Sequence, residues 1–318
     1  MESLNAKTVV PRDRRVSRNF TAALVGLLVS LRPHQWVKNL LLFSGLIFSG
    51  SLLKFELAAR AASGFIIFCL ASSGIYLVND LRDLQSDRQH LVKRHRPLAA
   101  GRVKVPAALA AMLVLLGAAM IGAVRLGQPF TLLLSVYVLV NIAYSFGLKY
   151  VVILDVILVA SGFVLRAVAG AVVISVAPSH WLILCTMMLA MLVVSGKRRH
   201  DVVAAGDGAP DPDREWYSVQ FLDLMMAISG GTAVVTYALY TLSPETVARI
   251  GTHGMILTVP FVMYGIFRYL YLMHRQAGTG DPALLFLTDR AILVNSLLWV
   301  AMVCLVLYEP QRLIDWLR

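Results

Sequence analysis

Nine apolar stretches, each near the length needed to cross a bilayer, govern what this chain can fold into. They lie at about 35–53, 57–83, 105–124, 129–147, 151–174, 180–197, 217–242, 254–274 and 284–308. A hydrocarbon core of about 30 Å takes roughly 20 helical residues to cross. With 58% hydrophobic and only 15% charged residues, and a mean hydropathy of +0.72, the chain is far more apolar than a soluble domain. The expectation is an all-α polytopic membrane protein, a bundle of nine transmembrane helices. Pro33, Pro106, Pro129, Pro178 and Pro244 stand near span ends, where a proline interrupts a helix least. Residues 20–31 are expected to form a short helix on the membrane surface, preceded by a basic tail.

Orientation follows from lysine and arginine. With the N-terminus in the cytoplasm, 22 of the 29 basic residues fall on the cytoplasmic side and 6 on the other, with Arg166 inside a span. Anionic lipid headgroups and anionic substrates suffice to explain a net charge of +11, and no nucleic acid is needed. Cys69, Cys185 and Cys304 all lie inside apolar runs and read as packing residues.

The second span ends in Asn79-Asp80-Leu81-Arg82-Asp83-Leu84-Gln85-Ser86-Asp87, on the cytoplasmic side. In one continuous helix, Asp80, Asp83 and Asp87 would stack on one face. One Asp could simply mark the water boundary. Three on a face repel each other unless a cation joins them. Hard oxygen ligands suit Mg²⁺, which commonly shares its coordination with water and substrate phosphates. Asn79, Asp80, Asp83 and Asp87 are therefore the candidate metal ligands, and a diphosphate held through the metal is the expected partner.

Basic side chains surround this motif. The following loop carries Lys93, Arg94 and Arg96, and Arg82 lies within the run itself; positive-inside bias alone would account for most of them. Lys38 and Asn39 sit at the entrance of the first span, where a bare charge is costly without a partner. Tyr144 and Lys149 close the fourth span, and Asp155 opens the fifth. Arg166 falls near the middle of the fifth span, where an arginine must be paired or solvated. It lies three helical turns from Asp155, so both can face one interior, with a purely structural pair as the plainer alternative. Lys197 and Arg198 end the sixth span, and such side chains suit phosphate.

Taken together these stretches resemble the UbiA superfamily of intramembrane prenyltransferases, whose signature N-D-x-x-D-x-x-x-D is matched by Asn79, Asp80, Asp83 and Asp87. Within it the closer likeness is to the decaprenyl-phosphate phosphoribosyltransferases. That likeness rests on Arg32-Pro33-His34-Gln35-Trp36-Val37-Lys38-Asn39, His95-Arg96-Pro97-Leu98, Gly162-Phe163-Val164-Leu165-Arg166-Ala167, Gly196-Lys197-Arg198 and Phe267-Arg268-Tyr269. The resemblance implies a basic tail and interfacial helix over 1–30 and a catalytic membrane domain over 31–318. Aromatic prenyltransferases of the superfamily carry a second aspartate-rich motif after the sixth span. Here Lys197-Arg198-Arg199-His200-Asp201 stands in its place.

One acidic and one basic wall fit a ligand with two anionic ends, such as phosphoribosyl diphosphate. The implied reaction is Mg²⁺-dependent phosphoribosyl transfer to a polyprenyl phosphate at the cytoplasmic face of the plasma membrane, supplying cell-wall arabinan precursors. Asp80, Asp83, Lys38 and Arg166 are the expected catalytic residues. Asn39, Arg82, Lys93, Arg94, Arg96, Tyr144, Lys149, Asp155, Lys197 and Arg198 are the expected substrate contacts. A homo-oligomer is compatible with this reading. An aromatic-acceptor prenyltransferase and a transporter using Arg166 and Asp155 are the rival readings.

Overall fold

The computed structural model describes residues 23–90, 92–205, 217–275, 285 and 288–308. The predicted basic tail, residues 206–216 and the residues beyond 308 lie outside them.

Helix α1 covers residues 23–30, within the stretch 20–31 where a short helix was expected. A 3-10 rod, Pro33–Phe43, leads into the short α2, Ser44–Phe48. Then come α3 (Phe55–Arg82), α4 (Leu84–Gln89), α5 (Val105–Leu126) and α6 (Gln128–Phe146). The chain continues with α7 (Leu154–Val173), α8 (His180–Ala205) and α9 (Val219–Leu242). It closes with α10 (Pro244–Ile250), α11 (Val259–Arg275) and α12 (Arg290–Tyr308). Prolines mark several starts: Pro106 and Pro129 occupy the first turns of α5 and α6, where their missing N–H has no intrahelical partner to lose. Ser218 caps α9 by accepting a hydrogen bond from Phe221 N at 3.2 Å.

Among the described residues, eight helical stretches are long and apolar enough to cross a membrane. All eight correspond to predicted spans, and the chain is a multi-pass membrane protein. The ninth, predicted at 35–53, is different: no α-helix of spanning length forms there. The 3-10 rod occupies it and packs tightly on α7. A Cβ at Gly170 would overlap the carbonyl oxygen of Leu42. Backbones approach this closely only where side chains are small. The α8 helix also runs on past the predicted end at 197, carrying Lys197, Arg198 and Arg199 on helix.

The centre of the bundle is α3, whose most apolar window is 61% buried, against 17% for α5 and α12. Small residues make that possible, with Ala61, Gly64, Ala71, Ser72 and Gly74 buried on α3 and Ala160, Gly162, Ala167 and Ala169 on α7. One core joins the rod, α3, α6 and α7 through Leu42, Phe68, Phe130, Leu134 and Val173. A second joins α8, α9, α11 and α12 through Leu192, Met226, Ile266, Tyr269 and Ile292. Leu113, Val114, Leu132, Leu139, Leu297 and Leu298 are exposed and face the lipid.

Gly170→Ala should force the rod off α7. Its thermal unfolding in detergent is expected to fall by an amount equivalent to about 1–3 kcal/mol of overpacking. An unchanged melting temperature would mean that the rod tolerates displacement.

Candidate active site

Alternating helix directions bring the C-terminal ends of α3, α6 and α8 and the N-terminal end of α7 to one rim, where most of the predicted residues meet. The acidic motif does not form the expected continuous helix. Asp83, at φ −93° and ψ 10°, ends α3 and starts α4. The break separates the three carboxylates. Asp80 and Asp87 are buried and turn to one side, and Asp83 turns toward α6.

Each carboxylate already holds a cation. Arg32 Nη2 lies 2.5 Å from Asp80 Oδ1. Arg96 Nη1 reaches both Asp80 Oδ1 at 3.3 Å and Asp87 Oδ2 at 2.7 Å. Lys149 Nζ donates to both oxygens of Asp83, at 2.8 and 2.9 Å. Partial burial would lower the Lys149 ammonium, but the hydrogen bond and charge of Asp83 outweigh it and hold the group above the ordinary lysine value. Asn79 accepts a hydrogen bond from Ser145 Oγ at 3.5 Å.

Local structure fixes these cations. Arg32 adopts a left-handed conformation (φ 52°, ψ 58°) before Pro33 and stacks over Tyr76. Non-glycine residues rarely take that conformation. The rod is tied to α3 by Trp36 Nε1, which donates to Ser73 Oγ at 3.1 Å; Ser73 in turn donates to Leu31 O. Arg96 projects from a turn whose Leu98 is buried with Leu77, Val103 and Ala108.

The basic wall adjoins the acidic one through the last turn of α6 and the 3-10 turn Leu148–Tyr150 that follows it. Tyr144 accepts from Arg198 Nη2 at 3.0 Å, while its neighbours Ser145 and Lys149 serve the acidic motif. Arg198 Nε lies 3.1 Å from Asp155 Oδ2, but its buried N–H has no hydrogen-bond acceptor. Asp155 also accepts from the Tyr217 hydroxyl at 2.6 Å, and that hydroxyl accepts from Ile153 N, whose residue sits at φ 71°. Burial and the bond to Asp155 push Tyr217 up to about 12.

Arg166 does not meet Asp155. It donates from Nε to Asn39 Oδ1 at 2.7 Å, from Nη2 to the Tyr137 hydroxyl at 2.7 Å and from Nη1 to Gly162 O at 2.8 Å. The guanidinium also stacks 4.8 Å over the Tyr137 ring. Three turns of α7 put it about 16 Å from Asp155. Asn39 is fully buried and donates to Cys69 Sγ and Ser72 Oγ, so this cluster locks the rod to α3, α6 and α7. Lys38 precedes it on the rod, half-buried.

Other expected contacts sit at the margin. Arg82 is exposed and stacks over Phe146 at 5.7 Å, Arg94 and Lys197 are exposed, and Lys93 is half-buried on the turn before Arg96. Gly196 packs against α11, where a Cβ would overlap the Tyr269 hydroxyl.

A hard divalent cation fits the acidic wall. Asp80 and Asp87 converge on one shared cationic position, now filled by the Arg96 nitrogen, and Mg²⁺ usually needs only one or two carboxylates. Among the described residues no three His, Cys, Asp or Glu side chains close around one point, because Asp83 is drawn to Lys149.

Residues 20–290 match the UbiA prenyltransferase family. The chain belongs to the UbiA prenyltransferase family. It is 32% identical over 296 residues to a decaprenyl-phosphate phosphoribosyltransferase of Mycolicibacterium smegmatis, covering 89% of this chain and 92% of that one. It is likewise 32% identical over 291 residues to a Corynebacterium glutamicum protein of the same name, covering 89% and 87%. In fold it is similar to a UbiA homolog from Archaeoglobus fulgidus bound to GPP and Mg²⁺, with a TM-score of 0.65 at 18% identity, over 89% of this chain and 99% of that one. As a member of this family the chain is read as an enzyme.

Arg32, Ser145 and Tyr217 are the site residues that sequence reasoning missed. Arg32 stands directly before a proline at a span entrance, which was a usable signal. Nothing in the sequence marked Tyr217, because its partner Asp155 is 62 residues away.

The raised Lys149 pKa means that its pairing with Asp83 stabilises the fold fully below the unfolded lysine value and is lost as pH rises through the folded one. The melting-temperature gap between wild type and Lys149→Gln should hold steady around neutrality and narrow above about pH 10.4. A gap that widens with pH would contradict the pairing.

Proposed function

We propose that the chain transfers a 5-phosphoribosyl group from phosphoribosyl diphosphate to a polyprenyl phosphate and releases diphosphate. The observation that carries this reading is the end of α6 with the 3-10 turn Leu148–Tyr150 after it, where Tyr144 meets the basic wall and Lys149 the acidic one. The donor has a diphosphate for the first wall and a separate 5-phosphate for the second. The names of the relatives support the same substrates.

Asp80 and Asp87 would hold Mg²⁺, with Asn79 and Asp83 adjacent. When bound there, it supplies Lewis-acid neutralisation of the departing diphosphate. Arg32, Arg96 and Lys149 add charge to that leaving group. Arg198, held by Asp155 and Tyr144, grips the 5-phosphate, and Lys197 stands at its outer edge. Tyr144 and Asp155 orient Arg198. Arg82, Lys93 and Arg94 contribute field at the mouth.

The acceptor approaches from the bilayer with its phosphate toward Lys38. A phosphate monoester has a second pKa near 6 and is already anionic at pH 7, so no general base is required. An acceptor oxygen forms a bond to the anomeric carbon as the bond to the diphosphate breaks, and the diphosphate leaves with that electron pair. Arg166 acts through Asn39, holding the rod that carries Lys38; it positions rather than touches. Catalysis then rests on placement and charge stabilisation.

The rim belongs on the cytoplasmic face of the plasma membrane, because the basic residues cluster there. In this orientation the rod and α2 form a ninth crossing. Eleven 3-10 and five α-helical residues extend about 30 Å by their rises. The product would feed a pathway that builds cell-wall arabinan.

Purified protein in liposomes, given Mg²⁺, polyprenyl phosphate and ribose-labelled phosphoribosyl diphosphate, should move label into the lipid phase. EDTA should abolish the transfer, and Asp80→Ala should lower it by about 10² or more at any Mg²⁺ concentration. No labelled lipid, with prenyl diphosphate consumed alongside an aromatic acid, would assign the chain to aromatic acceptors instead.

A further inference from the structure

A single nitrogen of Arg96 spans two buried carboxylates, 2.7 Å from Asp87 and 3.3 Å from Asp80. The two acidic side chains are only 4% and 2% exposed, so without a cation between them their like charges would be poorly screened. The Arg96 backbone is firmly seated. Ala100 N donates to Arg96 O at 2.8 Å, Arg102 N donates to Pro97 O at 2.9 Å, and Pro97 and Leu98 are buried. Its side chain is more exposed, at 28%, and has the freedom to swing. Arg32 on Asp80 and Lys149 on Asp83 complete the set. Three carboxylates and three cations leave the cluster neutral.

That neutrality constrains how ligands can enter. A divalent cation arriving alone must displace Arg96 and would leave two surplus positive charges. A diphosphate arriving alone meets cations already engaged by carboxylates. When both arrive together, the carboxylates pass to the metal while the Arg and Lys side chains pass to phosphate oxygens. The arginine fork suits phosphate as well as it suits carboxylate.

We propose that Arg96 is a placeholder for the metal: it occupies the position shared by Asp80 and Asp87 until a diphosphate draws it away. Metal and diphosphate therefore bind with positive cooperativity. This rests on the metal–diphosphate reading of the rim given above. Such coupling is reciprocal, each ligand raising the other's affinity by the same factor, typically about 5–150-fold.

Equilibrium dialysis of the full chain in nanodiscs tests it, using radiolabelled Mn²⁺ and inorganic diphosphate, each alone and then together. Wild type should hold Mn²⁺ at least about tenfold more tightly when diphosphate is present. In Arg96→Gln, Mn²⁺ alone should bind about tenfold more tightly than to wild type, because its competitor for both carboxylates is gone, and the enhancement by diphosphate should shrink. Arg96→Lys keeps a cation beside the carboxylates and should hold Mn²⁺ alone as weakly as wild type, which separates lost charge from a damaged fold. Equal Mn²⁺ affinity with and without diphosphate in wild type, or an unchanged affinity in Arg96→Gln, overturns the placeholder but leaves the metal–diphosphate site standing. If wild type retains neither ligand when both are supplied, the site reading fails and the placeholder with it.

Discussion

A charge at the edge of a bilayer cannot be left alone, and that constraint organises this structure. Removing a carboxylate or guanidinium from water costs several kcal/mol unless partners replace the lost hydration. The rim obeys this pair by pair: Asp80 with Arg32 and Arg96, Asp83 with Lys149, Asp155 with Arg198. Every pair joins different segments of the chain. The same contacts that satisfy the charges also dock the rod, the 92–102 turn, α6 and α8 onto α3 and α7.

Deeper in the bundle the constraint is met in another way. Arg166 is buried, and among the described residues its hydrogen-bond partners are neutral: the Asn39 amide, the Tyr137 hydroxyl and a helix carbonyl. A carboxylate there would neutralise it but would add a second charge to desolvate. Neutral acceptors and an aromatic face spread the charge instead. The cluster makes the rod's position depend on α7, and the contact of Leu42 with Gly170 sets how closely the two can approach.

Much of the fold was legible in the chain, because hydropathy reports lipid contact directly. Eight of the predicted spans correspond to helices among the described residues. The rod was not legible. It packs backbone to backbone against a glycine 128 residues further on, a contact that no local pattern encodes. In the site, the acidic motif and Lys149 were visible as charges in apolar surroundings. The break at Asp83 was not, since nothing around it is a helix breaker and the pull comes from Lys149 across 66 residues. Pairing Arg166 with Asp155 failed for a related reason. Helical spacing says which residues share a face, but the partner on the neighbouring helix decides where each side chain bonds.

On the proposed reading, the two charged walls that meet at the end of α6 and the 3-10 turn after it take a donor by both ends. A structure of the protein with Mg²⁺ and phosphoribosyl diphosphate, solved by cryo-electron microscopy, addresses that claim most directly. The account predicts the diphosphate beside Asp80 and Asp87 and the 5-phosphate against Arg198. Donor density with the two ends exchanged, or lying outside the rim between α3, α6 and α8, would contradict it.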